Sequence, residues 1–99
     1  MINVLAFITT KPGLRATVLE AFKANVPAVL AEEGCIEYGA AVDIAGANPA
    51  FGPDSFVVIE KWASLAALKA HAASPHMAAY AAKVKDLLEK RAVHVLDPA

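Results

Sequence analysis

The chain has 99 residues, a formal net charge of −1 and 58% hydrophobic residues. That length corresponds to one domain, residues 1–99. The near-neutral balance removes any electrostatic case for binding nucleic acid or an anionic membrane.

The hydrophobic fraction exceeds the usual ~45–50%, more than one small core needs, and points to a partner surface or a cavity. The single cysteine, Cys35, cannot form an intramolecular disulfide, and a reducing cytoplasm is the expected location. No apolar run reaches the ~18 residues that would span a bilayer. Met1–Ile2–Asn3–Val4 has no basic stretch of the kind that opens a signal peptide.

Ile2 to Thr10 is apolar at both parities, so both faces of this strand should be covered, with Asn3 a polar point on the side of Leu5 and Phe7. Lys11–Pro12–Gly13 ends it, and Thr9 or Thr10 could cap the helix that follows. Leu14, Val18, Phe22, Val26 and Val29 recur at helical spacing. This helix should end near Glu32–Glu33–Gly34, with Pro27 kinking or breaking its last turns. Cys35 to Ile44 alternates as a strand, placing Ile36 and Tyr38 on one face. Ala45 to Asp54, rich in glycine and proline, is a long hairpin loop.

Ser55 to Trp62 is the next strand, with Phe56, Val58, Glu60 and Trp62 opposite Val57 and Ile59. Ser64 caps a helix running through His71, and Ser74–Pro75 starts another, with proline suited to the first helical position. Tyr80, Val84, Leu87 and Leu88 mark its buried stripe, and Ala92 to Leu96 is a short last strand. Lys83, Lys85, Lys90 and Arg91, interleaved with Asp86 and Glu89, read as a solvated helix face.

The order β-α-β-β-α-β predicts a ferredoxin-like α+β fold with an antiparallel sheet and helices on one face. The other face is also apolar, and a second copy is its cheapest cover. Burying about 800 Å² per subunit at ~25 cal/mol/Å² supplies on the order of 40 kcal/mol gross. Half of that still exceeds the ~4–15 kcal/mol cost of association, so a homodimer is expected.

Glu60–Lys61–Trp62, Leu68–Lys69–Ala70–His71 and Ser74–Pro75–His76, with Gly34–Cys35–Ile36–Glu37–Tyr38 and Lys11–Pro12–Gly13, resemble the antibiotic biosynthesis monooxygenase family over nearly the whole chain. The resemblance implies a dimeric α+β barrel and cofactor-independent oxidation of quinols or polyketide phenols by O₂. A reduced phenol supplies its own electrons to oxygen, so an apolar cleft with a few polar groups suffices. No dinucleotide or phosphate-cradling motif is present, and no cofactor is expected. Haem-degrading relatives fit less well, because Ala81 stands where their histidine ligand would be.

The candidate catalytic residues are His71, for proton transfer, and Asn3, to orient an oxygen. Trp62, Phe56, Glu60, Tyr38 and His76 are candidates for binding a small aromatic substrate. An ordinary imidazole near pKa ~6.5 faces a phenol near ~10, a gap of roughly 5 kcal/mol, so the site would also have to stabilise the phenolate. Each residue has a structural alternative: a helix-end histidine for His71, a core side chain for Trp62, a hydrogen-bonded buried acid for Glu60. The histidines lack metal-ligand spacing in sequence, so no metal is expected. A dimeric small-molecule-binding module without chemistry is the alternative function.

Overall fold

The computed structural model describes residues 1–99. Strand β1 spans Ile2–Thr10, helix α1 Arg15–Leu30, β2 Cys35–Ala41, β3 Ser55–Trp62, α2 Leu65–Ala72, α3 Pro75–Val84 and β4 Leu88–Leu96, with a 3₁₀ turn at Lys85–Leu87. The four strands form one antiparallel sheet in the order β2-β3-β1-β4, the ferredoxin-like arrangement the sequence predicts.

Parity in β1 and β3 builds the core. Val4, Ala6 and Ile8 of β1, with Phe56, Val58, Glu60 and Trp62 of β3, are buried beneath the helices. Val18, Phe22 and Val29 of α1 and Val84 of α3 close over them. Phe22 stacks on Tyr38 at 5.1 Å and meets Phe56 and Tyr80 edge-on at 6.1 Å, so one ring ties α1 to the sheet and to α3.

The other sheet face carries Leu5, Phe7, Val57 and Ile59, with Phe51 of the long loop laid against Phe7 at 5.4 Å. Asp43 accepts hydrogen bonds from the Phe51 and Gly52 amides at 3.0 and 2.9 Å, which fixes that loop and holds the Asp43 carboxyl below its usual range. Phe51 is 60% exposed and Ile59 37%, a bare apolar face.

Several boundaries differ from the sequence expectation. Helix α1 runs unbroken past Pro27, whose carbonyl still accepts from the Ala31 amide at 3.2 Å. Neither Thr9 nor Thr10 caps it: Thr9 pairs with Ser55 across the sheet, and Thr10 donates to the Lys11 carbonyl. A bulge between Cys35 and Glu37 sets Cys35 opposite Trp62 and Tyr38 opposite Glu60, so Ile36 turns outward instead of sharing the face of Tyr38. Strand β2 ends at Ala41, short of Ile44, and β4 begins at Leu88 rather than Ala92.

Gly34 is the hinge of the α1–β2 turn. Its φ is +81°, and a Cβ built there would lie 2.6 Å from the Ala67 Cβ. Its carbonyl accepts from the Ala63 amide at 2.8 Å, which draws α2 against the turn. Gly34→Ala combines left-handed strain with that clash and should cost about 2 kcal/mol or more, a Tm fall of roughly 8 °C or more in a thermal melt. An unchanged Tm would mean the close approach has no structural weight.

Candidate active site

Three short turns bring three polar side chains together. Glu32 follows the end of α1, held by a hydrogen bond from its amide to the Val29 carbonyl at 3.0 Å. His71 lies in the last turn of α2, whose start is fixed by the Ala67 amide donating to Ser64 Oγ at 3.1 Å. His76 lies in the first turn of α3, after Pro75 at its N-terminus.

In one continuous helix, residues five apart point about 140° away from each other. The break at Ala73–Ser74 removes that constraint, and Ser74 Oγ donates back to the His71 carbonyl at 2.7 Å to hold it. His71 Nδ1 and His76 Nε2 then meet the same oxygen, Glu32 Oε2, each at 2.8 Å. Burial works against a charge on Glu32, but hydrogen bonds from both rings, together with their fields, outweigh it and hold the carboxyl below its ordinary range. An ionised Glu32 only accepts, so both facing ring nitrogens carry protons. For a neutral His71 this leaves Nε2 with its lone pair free, and no protein group pairs with it.

The His71 ring is clamped. It lies against Trp62 at 4.6 Å between ring centres and meets Tyr38 edge-on at 5.4 Å. It also lines a cavity of about 280 Å³ between the sheet and α2–α3, with Tyr38, Glu60, Leu68, Met77, Tyr80 and Arg91 among its walls.

Glu60 is buried, and its Oε1 accepts from Trp62 Nε1 at 2.9 Å. Burial pushes its carboxyl above the ordinary range, more than the Trp62 hydrogen bond and the fields of His71 and Arg91 pull it down. Burial likewise pushes the Tyr38 and Tyr80 hydroxyls up, so both stay protonated, and both residues line the cavity. The Cys35 thiol is raised by burial and by the fields of Glu32 and Glu60, which makes it a poor nucleophile.

The raised Glu60 has a measurable consequence. Between the ordinary glutamate value near ~4.3 and the raised native value, folding takes up a proton, so this group's contribution to stability falls as pH rises. Glu32, held low, has the opposite sign: its contribution is present above the ordinary value and is lost as pH falls through the native one. Glu60→Gln keeps an acceptor for Trp62 and removes the titration. The variant should be more stable than wild type at pH 7, and the difference should shrink towards pH 4.5 in urea unfolding. A difference independent of pH would contradict the assignment.

Of the residues singled out in sequence, His71, Glu60 and Tyr38 line this cavity. Trp62, fully buried, and Phe56, 1% exposed, stand behind its wall and do not form it. His76 reaches the site only through Glu32, and its Nε2 also lies 3.2 Å from Ser74 Oγ. Asn3 pairs with Lys61 and Leu96 and shares the bare face with Leu5 and Phe7, so the sheet separates it from His71. Sequence reasoning missed Glu32, which it took as a helix end, and Arg91, which it took as solvated helix.

Glu32, His71 and His76 also hold three donor atoms within 4.8 Å of one another, a carboxylate and two imidazoles of the kind that bind divalent transition metals. Spacing along the chain concealed this group. As they stand, the three are joined by hydrogen bonds that share one carboxylate oxygen.

Fold and cavity together define a small ferredoxin-like α+β domain with its candidate site between sheet and helices. Residues 1–83 match the antibiotic biosynthesis monooxygenase family, and the chain belongs to it. It is an oxidoreductase of the monooxygenase class. The Escherichia coli K12 protein named "Probable quinol monooxygenase YgiN" is 46% identical over 103 residues, covering 99% of this chain and 98% of that protein. Among solved structures, Rv0793 from Mycobacterium tuberculosis superposes with a TM-score of 0.83 at 30% identity, covering 99% of this chain and 94% of that one. PA3566 from Pseudomonas aeruginosa gives 0.84 at 26%, covering 99% and 93%. No helix is long and apolar enough to cross a membrane.

Proposed function

We propose that this monooxygenase acts with O₂ on a small dihydroxyaromatic, a quinol, bound in the helix-side cavity, and needs no organic cofactor or metal. The observation that carries the reading is His71. Its Nδ1 is fixed by Glu32, and its ring, with Nε2 free of any protein partner, walls an apolar cavity. A base held in this way meets the geometric requirement for accepting a phenolic proton. The similarity to a protein named as a quinol monooxygenase supports the substrate class.

In this reading His71 Nε2 accepts the proton of one ring hydroxyl, and Glu32 stabilises the resulting imidazolium. The electron-rich phenolate gives one electron to O₂, and the aryloxyl and superoxide combine to form a C–O bond at the ring. The hydroperoxide then loses the hydrogen on that carbon, and its O–O bond breaks. One oxygen stays as a new carbonyl and the other leaves as water. The quinol supplies all the electrons, so a quinol and O₂ give a hydroxyquinone and H₂O. The neutral hydroxyls of Tyr38 and Tyr80 donate hydrogen bonds to the developing oxyanion.

The bare face of the sheet belongs to the same reading as a homodimer interface. Phe7, Phe51, Val57 and Ile59 would pack on their copies, and the cavity, on the opposite face, stays open. Sedimentation at micromolar concentration should give a dimer; a monomer would refute this part.

Oxygen uptake with a panel of one- and two-ring quinols in the presence of EDTA tests the chemistry. Consumption that follows enzyme concentration and is unaffected by the chelator is expected. Saturable binding of quinols with no oxygen uptake would favour a binding module instead, and loss of turnover with EDTA would implicate the Glu32–His71–His76 donors as metal ligands.

A further inference from the structure

Arg91 is the basic group in the cavity wall that proton transfer leaves unused. In β4 it pairs with Ile8, whose side chain lies beneath the helices, so Arg91 points to the same side of the sheet. It lines the same cavity as Glu60, Tyr80 and Val93. Lys90, its neighbour, pairs with Thr9 and faces the other way. None of the ion pairs in the molecule includes Arg91; the acidic partners are Glu37, bound to Lys61, and Glu32, bound to the two histidines. Its field reaches Glu60 and Tyr80, favouring their charged forms, so the guanidinium acts on the cavity's interior.

We infer that Arg91 binds an anionic ring substituent of the substrate, so the preferred ligand is a one- or two-ring dihydroxyaromatic carboxylate. This rests on the quinol reading above and narrows it. An unpaired guanidinium beside an otherwise largely apolar cavity offers a rigid fork of donors that matches a planar carboxylate. A carboxylate attached to the ring lies close to the ring plane, so a flat ligand can meet the fork edge-on. The size limit follows from volume: about 280 Å³ lies just under the ~300 Å³ at which pockets for drug-sized ligands begin. One or two fused rings fill that volume.

The inference makes β4 a selectivity element. Arg91 takes no part in the proton transfer assigned to His71, and its side chain is exposed, so replacing it should leave the fold intact. The expected effect is therefore a change in which ligands bind, with little effect on the turnover of a bound one.

The test is anaerobic calorimetry, where binding is read without turnover, on 1,4-dihydroxy-2-naphthoate and on 1,4-dihydroxynaphthalene. Wild type should bind the carboxylate at least tenfold more tightly, and the preference should weaken as salt is raised. Arg91→Ala should abolish the preference while leaving binding of the plain diol within twofold, and Arg91→Lys should retain part of it. Aerobically, Arg91→Ala should raise KM for the carboxylate at least tenfold, with a smaller change in KM for the plain diol. Equal affinity for the two ligands in wild type, or a preference that survives in Arg91→Ala, overturns the assignment of Arg91 while the quinol reading stands. If neither ligand binds, both readings are overturned.

Discussion

His71→Ala is expected to lower kcat on a quinol substrate by ~10²–10⁴, the range for losing a positioned general base. The ring's three supports make the effect interpretable, because each acts on a different property. Glu32 Oε2 at 2.8 Å from Nδ1 sets the tautomer, Trp62 at 4.6 Å fixes the plane, and Tyr38 at 5.4 Å abuts it edge-on. Glu32→Gln should therefore reproduce part of the loss, on the order of tenfold, with KM nearly unchanged. An amide can still accept from Nδ1–H but cannot match the charge of the imidazolium that forms. Steady-state oxygen uptake measures both variants. Full activity in His71→Ala would remove the residue from the mechanism.

Trp62→Ala is expected to have the largest effect on stability, about 3–5 kcal/mol from cavity formation alone. Its side chain is fully buried, and its indole N–H is the donor that satisfies Glu60 Oε1 at 2.9 Å. Removal opens a void behind His71 and leaves a buried carboxyl without its partner. Against a total of ~5–15 kcal/mol for a domain, the variant would be close to unfolding at 37 °C. Trp62→Phe should keep most of the packing and lose the hydrogen bond, giving an intermediate result in urea unfolding. A loss below about 1 kcal/mol in Trp62→Ala would show that the residue is not a core support.

Much of the frame was legible in the sequence because it is carried by local patterns. Alternation in Phe56, Val58, Glu60 and Trp62 identified β3 and its buried face. Ser64 and Pro75 marked helix starts that the structure keeps at Leu65 and Pro75. His71 and Glu60 stood out as polar points in apolar segments, and both line the cavity. What the sequence hid depends on distant contacts. Glu32 meets histidines 39 and 44 positions away, and nothing local separates it from the neighbouring Glu33. Arg91 sits among alternating charges that have helical spacing, yet pairing with β1 extends β4 back to Leu88 and turns Arg91 to the cavity. Asn3 lies on the side of Leu5 and Phe7, as parity in β1 predicts, and that side faces away from His71. With both faces of β1 apolar, parity shows which residues share a side but not which side the helices cover.

The most direct measurement is turnover of a two-ring quinol under ¹⁸O₂ in ordinary water, with the product analysed by mass spectrometry. One ¹⁸O atom in each hydroxyquinone formed, with the other recovered in water, is the expected result. A product carrying oxygen only from water, or a quinol that binds and is returned unchanged, would contradict oxygenation in this cavity.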